Sequence, residues 1–333
     1  MKKSNVAIVG ATGMVGQEFI KVLEQRRFPM TSVQLYASDR SHGRKMKFHG
    51  EELEVKETTA KSFDGIDIAL FSAGADISRQ FSPIAAQAGA TVIDNSAAFR
   101  MEPDVPLVVP EVNPEDIKMH HGIIANPNCS TIQMVVVLYP LHKVNPIKRI
   151  TVATYQSVSG TGLAAIEELT TQSRLVLEGQ KTKPQVYPYQ IAFNVLPEID
   201  VFLQNGYTKE EWKMVEETHK IMHAPNIAIS ATCARVPVRI GHSEAVQVEF
   251  SHPMSPEEAK RILSKSPGVK LMDDPATRLY PYPLMVAGQD DVFVGRIRKD
   301  ASHPNGLVLW IVGDNLRKGA ALNAVQIAER LVQ

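Results

Sequence analysis

The chain has two cysteines, and Cys129 stands at a corner that suggests chemistry. Residues 125–133 read ANPNCSTIQ: an Asn-Pro-Asn turn, the thiol, then a run of apolar and β-branched residues that reads as a helix. Unpaired N–H groups at a helix start favour a thiolate and so make a nucleophile. The same groups can hold an oxyanion on the carbon that is attacked. Pro127 fixes the turn, and Asn128 can hydrogen-bond locally. A cysteine that merely packs near a cap is the alternative. Cys233, inside IAISATCARV, reads as that kind.

A second motif lies near the start. Asn5–Val9 (NVAIV) reads as a buried strand, and it runs into Gly10-Ala11-Thr12-Gly13-Met14-Val15-Gly16. This G-x-x-G-x-x-G is one place off the usual dinucleotide fingerprint, and the physics is the same. Glycines let the backbone turn tightly beside a pyrophosphate, and the helix start offers N–H groups and a positive dipole end. A tight turn that binds nothing is the competing reading. The second strand ends Ala37-Ser38-Asp39-Arg40-Ser41, with Arg44 and Lys45 behind. Asp39 alone suggests NAD; Arg40 with Ser41 looks like a cradle for a 2′-phosphate, hence NADP.

A thiol nucleophile beside a nicotinamide implies acyl-level redox chemistry through a hemithioacetal and a thioester. That chemistry calls for a proton-transfer partner. Of ten histidines, His242 is singled out by ending Arg235-Val-Pro-Val-Arg239-Ile-Gly-His242, a break between two strands where function gathers. An ordinary loop histidine would look the same.

The elements that must position these groups divide the chain. Residues 1–128 alternate short apolar strands (5–9, 33–37, 67–71, 91–94, 122–125) with helices (14–26, 76–88), the rhythm of a parallel sheet covered on both faces. After 129 the rhythm changes. Helices are expected at 129–143, 162–178, 208–222 and from 256, and strands at 148–156, 227–236, 243–250 and 307–312. Alternating polarity in two of these strands suggests a half-exposed, partly antiparallel sheet. A closing helix is expected over 315–331. Segment 179–207, rich in Pro, Tyr and Asn, says little.

The 333 residues exceed one ordinary core. Thirty-six basic residues balance 36 acidic ones, which argues against a nucleic-acid or anionic-membrane partner. Two cysteines make neither a disulfide framework nor a metal cluster, so no metal is expected. The first apolar run, Val6–Val9, is too short for a signal peptide, and no stretch approaches a membrane span. The expected location is the cytoplasm.

Taken together, GATGMVG, SAG (72–74), DNSAAFR (94–100), NPNCST (126–131), YQSVSGTG (155–162), RVPVRIGH (235–242) and GDNLRKGAALNAVQIAE (313–329) resemble the aspartate-β-semialdehyde dehydrogenases, end to end and in order. The resemblance implies an α/β fold. An N-terminal Rossmann-like dinucleotide-binding domain (1–128, completed by 315–333) would adjoin an α+β catalytic and dimerisation domain (129–314) of the glyceraldehyde-3-phosphate-dehydrogenase-like type. It implies NADPH-dependent reductive dephosphorylation of L-4-aspartyl phosphate to L-aspartate 4-semialdehyde, on the route to lysine, diaminopimelate, methionine and threonine. A homodimer is expected, with a tetramer possible.

The resemblance also assigns roles. Cys129 is the nucleophile, His242 the acid/base, and Gln156 orients the substrate. Arg235 pairs with the α-carboxylate, as a bidentate guanidinium should. Glu210 meets the α-ammonium, Arg100 and Lys213 hold phosphate, and Asn128 lines the substrate site. Gly10, Thr12, Gly13, Met14, Val15, Ser38, Arg40, Ser41, Ser72, Ser159, Gly160 and Asn315 contact NADP. Read without the family, Glu210, Lys213, Glu217 and Lys220 look like a solvated helix stripe. Three rivals share parts of the pattern. N-acetyl-γ-glutamyl-phosphate reductase has the same chemistry on an uncharged amide and needs no acid at Glu210. A cysteine–histidine acyltransferase or hydrolase would use the first domain only as scaffold. A redox-sensing NADP module would not turn over.

Overall fold

The computed structural model describes residues 3–333. The chain forms two compact units: the residues up to Asn128 with Gly319–Gln333, and Cys129–Lys318.

The first unit is built on a seven-stranded sheet. Its parallel part comprises β1 (Ser4–Val9), β2 (Met30–Ala37), β4 (Glu51–Glu57), β5 (Ile68–Phe71), β6 (Thr91–Asp94) and β7 (Ile123–Ala125). Strand β3 (Lys45–Phe48) pairs antiparallel with β4 at one edge, and the order is β3-β4-β2-β1-β5-β6-β7. Helices α1 (Met14–Gln25) and α2 (Ala75–Gln87) connect these strands. Val6, Ala7, Ile8 and Val9 are wholly buried, as expected of a central parallel strand covered on both faces. Sheet order grows outward in both directions from β1, so the turn after β1 sits at the switch point where such folds bind nucleotides.

The second unit holds a mixed six-stranded sheet. In chain order its elements are α3 (Cys129–Val144), β8 (Ile147–Gln156), α4 (Leu163–Leu177), α5 (Lys209–Met222), β9 (Ala228–Arg235), β10 (His242–Phe250), α6 (Pro256–Leu263), β11 (Val269–Leu271), α7 (Pro283–Val286), β12 (Val292–Lys299) and β13 (Gly306–Gly313). The sheet order is β11-β12-β13-β10-β8-β9. Helix α3 is buried from Ser130 to Leu138 and packs on β8, β10, β12 and β13. Helix α5 opens with a capping box. Thr208 Oγ1 accepts from Glu211 N, and the Glu211 carboxylate accepts from Thr208 N. Ser255 caps α6 through Glu258 N.

The chain returns to the first unit through α8 (Leu322–Leu331). Its Leu322, Ala324, Val325, Ile327 and Ala328 join the core formed by Val6, Ile8, Phe19 and Leu23. Asn323 Nδ2 donates to Val108 O (2.9 Å) and Asn126 Oδ1 (2.7 Å), fixing the helix to the segment before Cys129.

Three features differ from the expectation. The β3–β4 hairpin was not foreseen, because KMKF and EELEVKE carry few apolar residues and most of the hairpin is exposed. Strands β11 and β12 were not foreseen either. In β12 the ladder shifts between Gly295 and Arg298, and Arg296 takes a left-handed φ of 53°, which breaks the alternation. The closing helix is shorter than 315–331: a wide turn over Arg317–Ala321 precedes α8. Segment 179–207 is strapped down by α4. The Glu168 carboxylate accepts from Gln185 N and Val186 N, and Gln172 Oε1 accepts from Ile191 N and Ala192 N.

Candidate active site

In the first unit the glycine turn is sterically obligatory. Gly10 has φ +86°, and a Cβ there would lie 2.5 Å from Ser72 O; at Gly16 it would lie 2.2 Å from Gly10 O. Both clashes are with backbone, which cannot swing aside. Gly13 is less crowded, with Gly10 O at 3.4 Å, and it precedes α1 with no side-chain cap on the helix start. The turn opens into a cleft of about 580 Å³ lined by Gly10, Thr12, Gly13, Ser38, Asp39, Arg40 and Ser72, six of them expected cofactor residues. Glu57, Thr58, Ile77 and Phe81 also line it and were missed, the first two because they follow from the unforeseen β4. Thr12 Oγ1 lies 3.4 Å from Ser41 Oγ. Met14 and Val15 begin α1. The Asp39 carboxylate accepts from Arg40 N at 2.6 Å. This bond shapes the turn and leaves the Arg40 guanidinium for an anion. A bare-glycine approach, an uncapped helix start and a cation at the second strand's end fit a dinucleotide with a 2′-phosphate. Arg100, also in this unit, is buried and donates through Nη2 to Asn95 O (2.9 Å). Asn128 is buried at the unit's last position before α3.

In the second unit the strand register gathers the remaining groups. Gln156 ends β8 and pairs with Arg235 at the end of β9; His242 begins β10 and pairs with Gly313 at the end of β13. Four strand ends thus meet on one edge of the sheet, where side chains can converge. Gln156 Nε2 donates to Glu210 Oε1 (3.1 Å), and Lys213 Nζ donates to Glu210 Oε2 (3.1 Å) and Asp200 Oδ2 (2.8 Å). Glu210 is only 5% exposed, so the solvated-stripe reading does not hold for it. Lys213 bridges two carboxylates and thereby orients Glu210. Burial pulls the Asp200 pKa up, but the Lys213 hydrogen bond and charge hold it below its ordinary value. Asp200 was not anticipated, since nothing in the sequence links it to α5.

Arg235 is buried; Nη1 donates to Ser157 O (2.7 Å), and the guanidinium lies 6.0 Å from the Tyr187 ring centre. A Cβ on Gly160 would sit 3.0 Å from Arg235 Nη1 and 3.4 Å from His242 Nε2, so the glycine keeps open the space both groups face. Ser159, Gly160 and Asn315 belong to this unit, grouped with His242. His242 is wholly buried, and burial, aided by the Arg235 charge and opposed by Glu210, pushes its pKa down to about 3. Cys129, the first residue of α3, is half-buried. Cys233 is fully buried beside Met214, and burial pushes its thiol far up, as suits an inert core cysteine.

One turn beyond Cys129 on α3, Gln133 Nε2 donates to His242 O (3.5 Å). Gln133 also meets Glu244, which is wholly buried and whose pKa burial raises well above the carboxylate range. The Glu244 oxygens receive no donor, and Gln133 Oε1 has none. The unfolded chain ionises at this position above about pH 4.5 while the fold does not, so native stability falls as pH rises. Glu244→Gln is therefore expected to stabilise the protein, by an amount that grows from pH 5 to pH 8; urea denaturation at several pH values checks this. A pH-independent difference would contradict it.

The chain matches the family model for the NAD binding domain of semialdehyde dehydrogenases over residues 5–120, and that for their dimerisation domain over 138–318. It is 58% identical to aspartate-semialdehyde dehydrogenase of Aquifex aeolicus, over 98% of each chain. The crystal structure of aspartate semialdehyde dehydrogenase II complexed with ASA from Vibrio cholerae superposes with a TM-score of 0.97 at 49% identity, covering 100% of this chain and 99% of that one. The Candida albicans enzyme with NADP gives 0.77 at 27% identity, over 99% and 98%. Fold, strand-end constellation and full-length similarity agree: the chain belongs to the aspartate-semialdehyde dehydrogenase family.

Proposed function

We propose that this protein catalyses the NADPH-dependent reductive dephosphorylation of L-4-aspartyl phosphate to L-aspartate 4-semialdehyde, and the reverse. The observation that carries this reading is the pair of opposite buried charges, Arg235 and Glu210, flanking Gln156. A free α-amino acid head offers a carboxylate and an ammonium to match them. An N-acetylated substrate would leave Glu210 facing an uncharged amide, a mismatch that binding sites punish. Four full-length relatives and structures with this name support the same choice.

Cys129 attacks the acyl carbon, and phosphate leaves with the bonding electrons. Arg100 and Lys213 are assigned to the phosphate, Arg235 to the α-carboxylate, Glu210 to the α-ammonium, and Gln156 to holding Glu210 in place. Asn128 supports the substrate side. When bound, the cofactor supplies the hydride. His242 faces the oxygen on which negative charge develops. Without phosphate, semialdehyde and NADP should give a burst of one equivalent of reduced nicotinamide and a thioacyl adduct on Cys129, detectable by mass spectrometry. Absence of both would remove the covalent mechanism.

Arg40 and Ser41 are assigned to the 2′-phosphate. Arg40→Ala is expected to lower kcat/KM for NADP roughly 10- to 100-fold, a charge-assisted contact of about 1.5–3 kcal/mol, with NAD nearly unaffected. Parallel assays with both cofactors check it. A homodimer is supported by the dimerisation-domain match and by exposed Tyr189, Phe193, Val201 and Phe202 in the second unit. No helix among the described residues is long and apolar enough to cross a membrane, and a cytoplasmic location suits this chemistry.

A further inference from the structure

Helix α4 holds a strap against the second unit. Glu168 and Gln172 lie one turn apart on α4, both buried, and Gln172 Nε2 donates to Glu168 Oε1 at 3.0 Å. Glu168 Oε2 accepts from Gln185 N (3.0 Å) and from Val186 N. Gln172 Oε1 accepts from Ile191 N (2.9 Å) and Ala192 N (3.2 Å). The backbone is thus fixed on both sides of Tyr187 by a satisfied buried polar pair, which holds a loop in one conformation. Gln185, Val186, Pro188 and Tyr189 are exposed, whereas Tyr187 is half-buried, so its ring is the one turned inward. Its hydroxyl donates to Thr161 Oγ1 at 3.0 Å, and burial raises the phenol pKa against the opposing Arg235 charge, which keeps it a neutral donor. The ring centre lies 6.0 Å from the Arg235 guanidinium carbon, within cation–π reach.

The guanidinium under this ring has one edge left to offer. Nη1 is taken by Ser157 O (2.7 Å), and Nε is buried with no partner among the described residues. A buried N–H without an acceptor points to a ligand that supplies one. The side-on edge that includes Nε suits a carboxylate, which takes two parallel N–H···O bonds. The Tyr187 ring keeps water from one side of the cation, and a shielded charge left without a partner is costly. We propose that Tyr187 is a specificity-determining residue: held in place by Glu168 and Gln172, it roofs Arg235 and makes the site demand a free α-carboxylate. A carboxylate neutralises the roofed cation. An ester, an amide or a missing group leaves it unpaired, and such mismatches separate substrates most sharply. This role rests on the proposed reaction, which supplies the α-carboxylate.

The test compares parent, Tyr187→Leu and Tyr187→Phe on aspartate semialdehyde and on 3-aminopropanal, which lacks the α-carboxylate. Tyr187→Leu is expected to lose roughly 5- to 30-fold in kcat/KM for the semialdehyde, mainly through KM, and almost nothing for 3-aminopropanal. Tyr187→Phe keeps the ring and should restore most of that loss. Equal losses on both substrates would make Tyr187 merely structural, and an unchanged Tyr187→Leu would remove the roof; either result overturns the inference. Glu168→Ala frees one end of the strap and should show the same substrate-selective loss. Full discrimination in that variant, folded by circular dichroism, would take the clamp out of the account. Calorimetric titration with L-2-aminobutyrate and with its methyl ester reads recognition without chemistry. The parent should bind the free acid more tightly, and Tyr187→Leu should narrow the gap. No gap in the parent would overturn the roof. An inactive parent that shows the gap and its narrowing would refute the proposed reaction and leave the roof standing.

Discussion

Cys129→Ser is expected to abolish turnover, by on the order of 10⁴–10⁶-fold, while cofactor binding stays within a few-fold of the parent. The reason is chemical rather than steric. An alkoxide at this position is a poorer nucleophile at neutral pH, and an oxygen ester would be a poorer partner for hydride transfer and phosphate attack. Cys129 opens α3, whose next residues are buried, so the small change should leave the fold intact. The cofactor cleft is lined by the turn after β1, the ends of β2 and β4, the residues after β5 and one face of α2, all in the first unit. Fluorescence titration with NADPH beside a steady-state assay separates the two effects. Near-normal turnover would end the covalent account; equal loss of binding and turnover would point to misfolding instead.

Arg235→Lys should cost roughly 10²–10³-fold in kcat/KM, about 3–4 kcal/mol, expressed mainly in KM for the semialdehyde. A lysine keeps the charge but loses the planar fork, and it cannot both hold Ser157 O and grip a carboxylate. The control is a substrate lacking the α-carboxylate, 3-aminopropanal. Parent and variant should handle it equally badly, because the contact being tested is missing from both. A large difference with that substrate would move Arg235 from carboxylate recognition to general support of the sheet edge.

Much of this was legible in the sequence because it is local. The buried strand before Gly10, the glycine turn and the proline-pinned corner at Cys129 are encoded within a few residues each. The capping box at Thr208 and the N-cap at Ser255 are local in the same way. What stayed hidden was tertiary. Asn315 reads as a cofactor contact from its motif, yet its side chain is spent on Gly241, Ser157 and Ser159. Ser157 drew no attention because a serine after a strand is ordinary, and only the return of β10 beside β8 brings it to His242. Glu210 and Lys213 look like surface charges until the 179–207 segment and Asp200 cover them. The β3–β4 hairpin escaped because an exposed edge needs few apolar residues, so the alternation that marks a strand is faint.

The most direct test of the account follows absorbance at the reduced-nicotinamide band with purified protein, aspartate semialdehyde, NADP and varied phosphate. Steady reduction that requires phosphate, with a much weaker signal from NAD, is the predicted result. Reduction that ignores phosphate, or activity with N-acetylglutamate semialdehyde in place of the free amino acid, would contradict it.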